Sequence, residues 1–174
     1  TNQNVTLYLN SHDSLSGKAY YTFDGTNFKS ENYHTFTQNT DTVRVGIKDT
    51  AGNVNDITTI KITNIDKLPP SCEVTKSREK DGNGEDWYKS SVDILFVDGK
   101  QVDQDATSAY AKSNVRDWVL NNATGRGDPK KRSQTVETSS TTDTGYVIDN
   151  AGNIDYCYTT VKLDLTNPTA GTVT

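Results

Sequence analysis

Acidic loops, a cysteine pair and two histidines are the parts of this 174-residue chain whose types and spacing could do chemistry. The acidic loops are the most regular of these. Asp49-Thr50-Ala51-Gly52-Asn53 returns as Asp149-Asn150-Ala151-Gly152-Asn153, 149 − 49 = 100 positions later, and a further carboxylate follows each copy at Asp56 and Asp155. Clustered carboxylate and amide oxygens are the donor set that calcium takes. The same residues are also what a tight turn needs. An Asp side chain accepts hydrogen bonds from backbone N–H groups two residues on, and Gly takes a positive φ at which a Cβ would clash. Turn chemistry thus accounts for Asp49, Gly52, Asn53, Asp149, Gly152 and Asn153 without a metal, and they are read as structural turns.

Asp81-Gly82-Asn83-Gly84-Glu85-Asp86 alternates oxygen donors in the same way. It departs from a calcium loop at its sixth position, Asp86 in place of Gly, and at its twelfth, Val92 in place of a bidentate Glu. A solvated loop is the better reading, so no cofactor is expected, and calcium stands as the functional alternative. His12 and His34 have no Cys or His at metal spacing, and no nucleophile with its base is recognisable. The chain reads as non-enzymatic.

Two further motifs point to binding. Arg126-Gly127-Asp128 is the tripeptide that integrins recognise, in a Gly- and Lys-rich stretch that reads as an exposed loop, with Pro129 restricting Asp128 to extended conformations. Tyr8, Tyr20, Tyr33, Tyr156 and Tyr158 offer rings for stacking on sugars, or else cross-strand pairs that stiffen a sheet, the commoner use.

The elements that must position these groups are strands. Val5, Leu7 and Leu9 alternate with Thr6 and Tyr8, as do Val43, Val45 and Ile47 before the first Asp turn, and Asp24-Gly25 is a turn dipeptide after a run over 19–23. A short strand is read over 33–36, and Ile60 and Ile62 close the unit. Hydrophobic residues make up 32%, with Thr, Asn, Asp and Ser abundant, as in thin two-layer sandwiches. Nine Tyr and the regular alternation argue against disorder.

Placing Val92 on Val5 gives an offset of 92 − 5 = 87, against 100 for the turns, so the second unit carries 13 extra residues, expected mostly in loops around 113–132. It also has a stretch ahead of Val92 that the first unit lacks, so the first unit is expected to be short of its opening strand. Paired Pro69 and Pro70 make a stiff connector. The domains are therefore read as 1–65, a linker over 66–70, a second domain over 71–164, and a connector with the opening strand of a next repeat over 165–174. With no Met in the chain, it is read as an internal piece of a longer one. Cys72 and Cys157 fall near the start and in the last strand of the second unit, and such strands of a sandwich can be neighbours. A disulfide is expected, against the alternative of two buried thiols, and it implies an oxidising compartment.

Tyr20-Tyr21-Thr22-Phe23-Asp24-Gly25, the stretch from Val43 to Asn53 and the connector Asn64-Ile65-Asp66-Lys67-Leu68-Pro69-Pro70 together resemble the bacterial immunoglobulin-like (Big-type) repeats found in tandem in surface and secreted proteins, mostly of Gram-positive bacteria. The stretch over 99–142 departs from that pattern. The resemblance implies an all-β chain of two tandem immunoglobulin-like β-sandwich domains joined by a short Pro-containing linker. It also implies an extracellular location, in the cell wall or secreted, and no catalytic residues.

The function expected is that of a spacer or stalk segment presenting an adhesive or catalytic module. The alternative is an adhesin-type module that recognises a host protein or glycan through the loops of the second domain. Expected partners are the neighbouring domains of a longer chain, a host protein or glycan, and a second copy joined head-to-tail through 170–174. The net charge of −5 and the lack of a long apolar run argue against nucleic acid and membrane insertion.

Overall fold

Twelve strands and no helix make up the described part of the chain, which in this computed structural model comprises residues 1–12, 15, 17, 19–82, 86–97, 114–120 and 131–171. The chain divides into two compact units between Leu68 and Pro69.

In the first unit, β1 (Val5–Tyr8) pairs antiparallel with β3 (Tyr33–Phe36), while β4 (Thr40–Asp49) lies between β2 (Ala19–Thr22) and β5 (Thr58–Ile62). Side chains alternate across each strand. Val5, Leu7 and Phe36 from one sheet thereby meet Val43, Val45, Ile60 and Ile62 from the other, with Val43, Ile62 and Ile65 fully inside. Ile65 is tied to this unit by its backbone, its N–H donating to Asn39 Oδ1 (2.8 Å) and its carbonyl accepting from Asn39 Nδ2 (2.7 Å). The Asn39 amide thus takes the place of a neighbouring strand.

The second unit repeats this scheme and adds to it. The strand β8 (Val92–Phe96) pairs with β10 (Lys131–Gln134) as β1 does with β3, and β11 (Thr138–Asp149) lies between β9 (Val115–Leu120) and β12 (Ile154–Leu163) as β4 lies between β2 and β5. Two strands have no described counterpart in the first unit. These are β6 (Val74–Lys76), antiparallel to the free side of β8, and β7 (Trp87–Tyr88), parallel to β12. The core is correspondingly larger, with Val92, Ile94 and Phe96 from one sheet facing Leu120, Val147, Cys157, Val161 and Leu163 from the other.

Where β7 ends, the two units match again. Asp164 N–H donates to the Tyr88 carbonyl (2.9 Å), and Asp66 N–H donates to the carbonyl of Thr1 (2.8 Å), the residue 88 − 1 = 87 positions earlier. The 13 extra residues fall elsewhere than expected. β8 and β9 begin 115 − 92 = 23 residues apart where β1 and β2 begin 19 − 5 = 14 apart, so nine of the 13 lie ahead of β9 rather than around 113–132. Lengthening a connection between strands that do not pair costs little closure entropy, and the pairing scheme is the same in both units.

Candidate functional site

The two Asp turns are superimposable in their bonding. Asp49 N–H donates to the Asn53 carbonyl (3.0 Å), Asn53 N–H returns to Asp49 Oδ1 (2.8 Å), and Asn53 Nδ2 donates to Asp49 Oδ2 (2.7 Å). In the second copy the same three bonds measure 3.1, 2.8 and 2.8 Å, with a further one from Gly152 N–H to Asp149 Oδ1 (2.6 Å). Gly52 and Gly152 sit at φ of 97° and 96°, a backbone that disfavours any Cβ. Both carboxylate oxygens of each Asp face donors of their own loop. The copies differ in burial: Asp149 is fully buried and Asp49 is half-buried.

Asp155 lies in the disulfide region. Its Oδ2 accepts from Cys72 N–H (3.1 Å) and its Oδ1 from Tyr156 N–H (2.9 Å). Cys72 and Cys157 are bonded, with Cα atoms 5.3 Å apart, so the bond ties the chain just before β6 to β12 in the opposite sheet. Asp56 is exposed.

In the 81–86 loop, Asp81 accepts from Lys89 N–H (3.0 Å) and from Arg78 Nη2 (2.5 Å), and the Lys89 bond leads in holding its carboxyl below the ordinary range. Asp86 faces Lys80 at 3.6 Å. Residues 83–85 of this loop lie outside the described residues, as do Arg126, Gly127 and Asp128. Among the described residues no three His, Cys, Asp or Glu side chains converge as metal ligands do.

The tyrosines differ in their surroundings. Tyr8 and Tyr33 are register partners with ring centres 5.8 Å apart, and Tyr146 and Tyr156 are another such pair at 6.1 Å. Tyr20 lies under Lys48 Nζ (5.8 Å). Tyr158, opposite Thr144, is 77% exposed. His34, exposed on β3, has its ring beside those of Phe23 (5.6 Å) and Phe36 (4.7 Å) and also borders the groove described next.

A groove of about 430 Å³ opens in the first unit along β2, β3 and their connection, with Tyr21, Phe23, Asp24, Lys29, Glu31 and Tyr33 on its walls. Its polar wall is a loop organised around Asp24. Asp24 Oδ1 accepts from Thr22 Oγ1 (2.8 Å), Thr26 N–H (2.8 Å) and Asn27 N–H (2.8 Å), while Oδ2 accepts from Asn27 Nδ2 (2.6 Å). The Asn27 N–H, first among these donors, holds the Asp24 carboxyl well below the usual carboxylate range. A carboxyl lowered on folding favours the folded loop above its unfolded pKa and loses that contribution as pH falls through the folded value. Carboxyl ¹³C shifts recorded against pH are therefore expected to show Asp24 titrating below the ordinary range, and Asn27→Ala should raise it. An Asp24 that titrates normally in the parent chain would contradict the cradle.

Sequence reasoning passed over three of these groups. Asp24 was legible only as part of a turn dipeptide. Nothing marked Asn39 as a clamp, nor Arg132 as the partner of the fully buried Asp143 across the second sandwich. Local spacing carries no signal for contacts made between sheets.

Compared with known proteins, the chain matches no family model and no curated sequence.

Proposed function

We propose that the chain is a non-enzymatic spacer segment of a bacterial surface or secreted multidomain protein. In this reading two immunoglobulin-like domains in tandem, joined by the Pro69-Pro70 connector, hold an adhesive or catalytic module away from its anchor. The observation that carries the reading is the repetition itself: one strand-pairing scheme and one Asp-Gly-Asn clasp, used twice in a single chain. A unit defined by internal pairing and a terminal clasp can be added in series, so length grows with copy number. The resemblance of the connector and turn sequences to Big-type repeats supports the same reading. The disulfide suits an extracellular, oxidising setting.

Small-angle scattering on concatemers of this chain tests it. A spacer's maximum dimension rises in proportion to the number of units, whereas freely jointed units give growth near the square root of that number; the second result would remove the proposal.

A second reading, a module that binds a host protein or glycan, is favoured by the nine extra residues ahead of β9 and by the groove beside Asp24. A glycan and host-protein array on the folded chain decides it, and no binding on either would leave the spacer reading alone.

A further inference from the structure

The two units share a register, and they differ in what fills one place between their sheets. His34 lies opposite Leu7 on β1, and Arg132 lies opposite Ile94, the residue 94 − 7 = 87 positions on. Val43 stands six residues before the first turn Asp, and Asp143 six before the second. In the second unit Arg132 reaches across the sandwich to the fully buried Asp143. In the first unit the residue in that place is Val43, whose side chain offers an imidazole no polar partner. Tyr21 is paired with Ile47 as Trp118 is with Val147, so Phe23 and Leu120, each two residues further on, also correspond. Leu120 is fully buried, whereas Phe23 is half-buried and His34 exposed.

The first unit is open where the second is closed. The groove of about 430 Å³ beside Asp24 and a second hollow of about 270 Å³ both have Phe23 and His34 on their walls. The first runs back along β3 to Tyr33, and the second runs on to Phe36 and Thr37, so they adjoin at the two shared rings. From Tyr33 to Phe36 the strand advances about 10 Å. That is long enough for more than one sugar ring.

The lining combines two kinds of surface. Its middle is aromatic, with the His34 ring beside those of Phe23 and Phe36. Around the second hollow stand the hydroxyls of Thr37, Thr40 and Thr42 and the Gln38 amide, with no charged group among them. At the other end the exposed Lys29 and Glu31 flank Asp24, whose carboxylate oxygens are taken up by donors of its own loop. A pyranose ring has the complementary surfaces. Its C–H groups, slightly positive, settle on the negative face of an aromatic ring, and the hydroxyls at its rim exchange hydrogen bonds with hydroxyl, amide and charged side chains. One ammonium against two carboxylates gives no attraction for an anion, which favours an uncharged sugar.

We propose that this groove of the first unit binds an uncharged oligosaccharide, with one sugar ring lying against Phe23 and His34. Lys29 and Glu31 hold hydroxyls on one side of that ring, and the threonines and Gln38 hold those of the next sugar. The proposal rests on the second reading above, a binding module, and gives it a site and a ligand class. The spacer reading neither needs it nor opposes it.

The test is a titration of the full chain with cellopentaose, chitopentaose and maltopentaose, each to about 10 mM, a range that covers weak binding, followed by amide and histidine-ring NMR signals. At least one pentamer is expected to bind with a Kd of about 1 mM or tighter, shifting His34, Thr37 and Gln38 and leaving the Trp87 and Trp118 indole signals unmoved. Phe23→Leu, which installs the second unit's residue, and His34→Leu should each weaken that binding about tenfold by removing a ring, with amide spectra confirming that both variants fold. A galacturonate pentamer should bind more weakly than the best uncharged one. No shift at these residues with any of the three pentamers would overturn the proposal. So would binding that both variants retain in full, or tighter binding of the galacturonate. Binding of a host protein or other glycan that survives both substitutions would keep a binding module while removing this groove as its site.

Discussion

Reducing the Cys72–Cys157 bond is expected to lower the stability of the second unit by roughly 4 to 5 kcal/mol while leaving the first unit unchanged, on the chain-entropy account of a loop this long. The bond closes a separation of 85 residues, nearly the whole unit, and links elements of opposite sheets. Without it the denatured chain gains the freedom of that entire loop, and β6, three residues long, loses its anchor beside Cys72. The measurement is direct because both tryptophans, Trp87 and Trp118, belong to the second unit. Their emission in a denaturant titration follows that unit alone, while amide signals from the first unit follow the other. The expected result is a large shift of the tryptophan transition on reduction, reproduced by Cys72→Ala with Cys157→Ala. A tryptophan midpoint unmoved by complete reduction would show that packing, not the bond, holds the second sandwich.

Asp149→Ala is expected to cost about 3 kcal/mol, and Asp49→Ala about half of that, although the two residues make the same turn. The difference lies in what is left behind. Asp149 is fully buried, so deleting its carboxylate strands the N–H groups of Gly152 and Asn153 and the Asn153 amide where water has poor access. Around Asp49 the exposed Asn53 can turn to water. Asp149→Asn, which keeps an acceptor oxygen, should fall between parent and Ala. Paired denaturation curves for the two Ala variants check this, and equal costs would mean that the turn's internal bonds, not burial, set the energy.

Elements with a local signature could be read from sequence alone. The strands β1, β2 and β4 announced themselves by alternation or by a following turn dipeptide, and both Asp turns by residues whose conformational preferences are strong and local. Cys72 and Cys157 could be paired because strand order constrains which ends meet. By contrast, β10 carries Lys131, Arg132, Ser133 and Gln134, with no apolar alternation at all. It exists because its backbone pairs with β8, and its Arg132 and Gln134 find polar partners in Asp143 and the Val136 carbonyl. The two-residue β7 is too short to carry a pattern. The groove beside Asp24 draws its walls from β2, β3 and the segment between them, and no spacing rule brings those residues together.

One consequence of the disulfide concerns tension along the chain. A pull transmitted through Pro69 and Pro70 enters the second unit at Cys72, crosses the covalent bond to Cys157, and leaves along the six residues from Tyr158 to Leu163. The segment between the cysteines, a sequence separation of 85, never bears load, so roughly 290 Å of contour, at about 3.4 Å per residue, stays locked while the bond holds. Among its residues 1–68 the first unit has no cysteine. Its strands can be drawn out in full, so it lengthens and dissipates a sudden load while the second unit keeps its length.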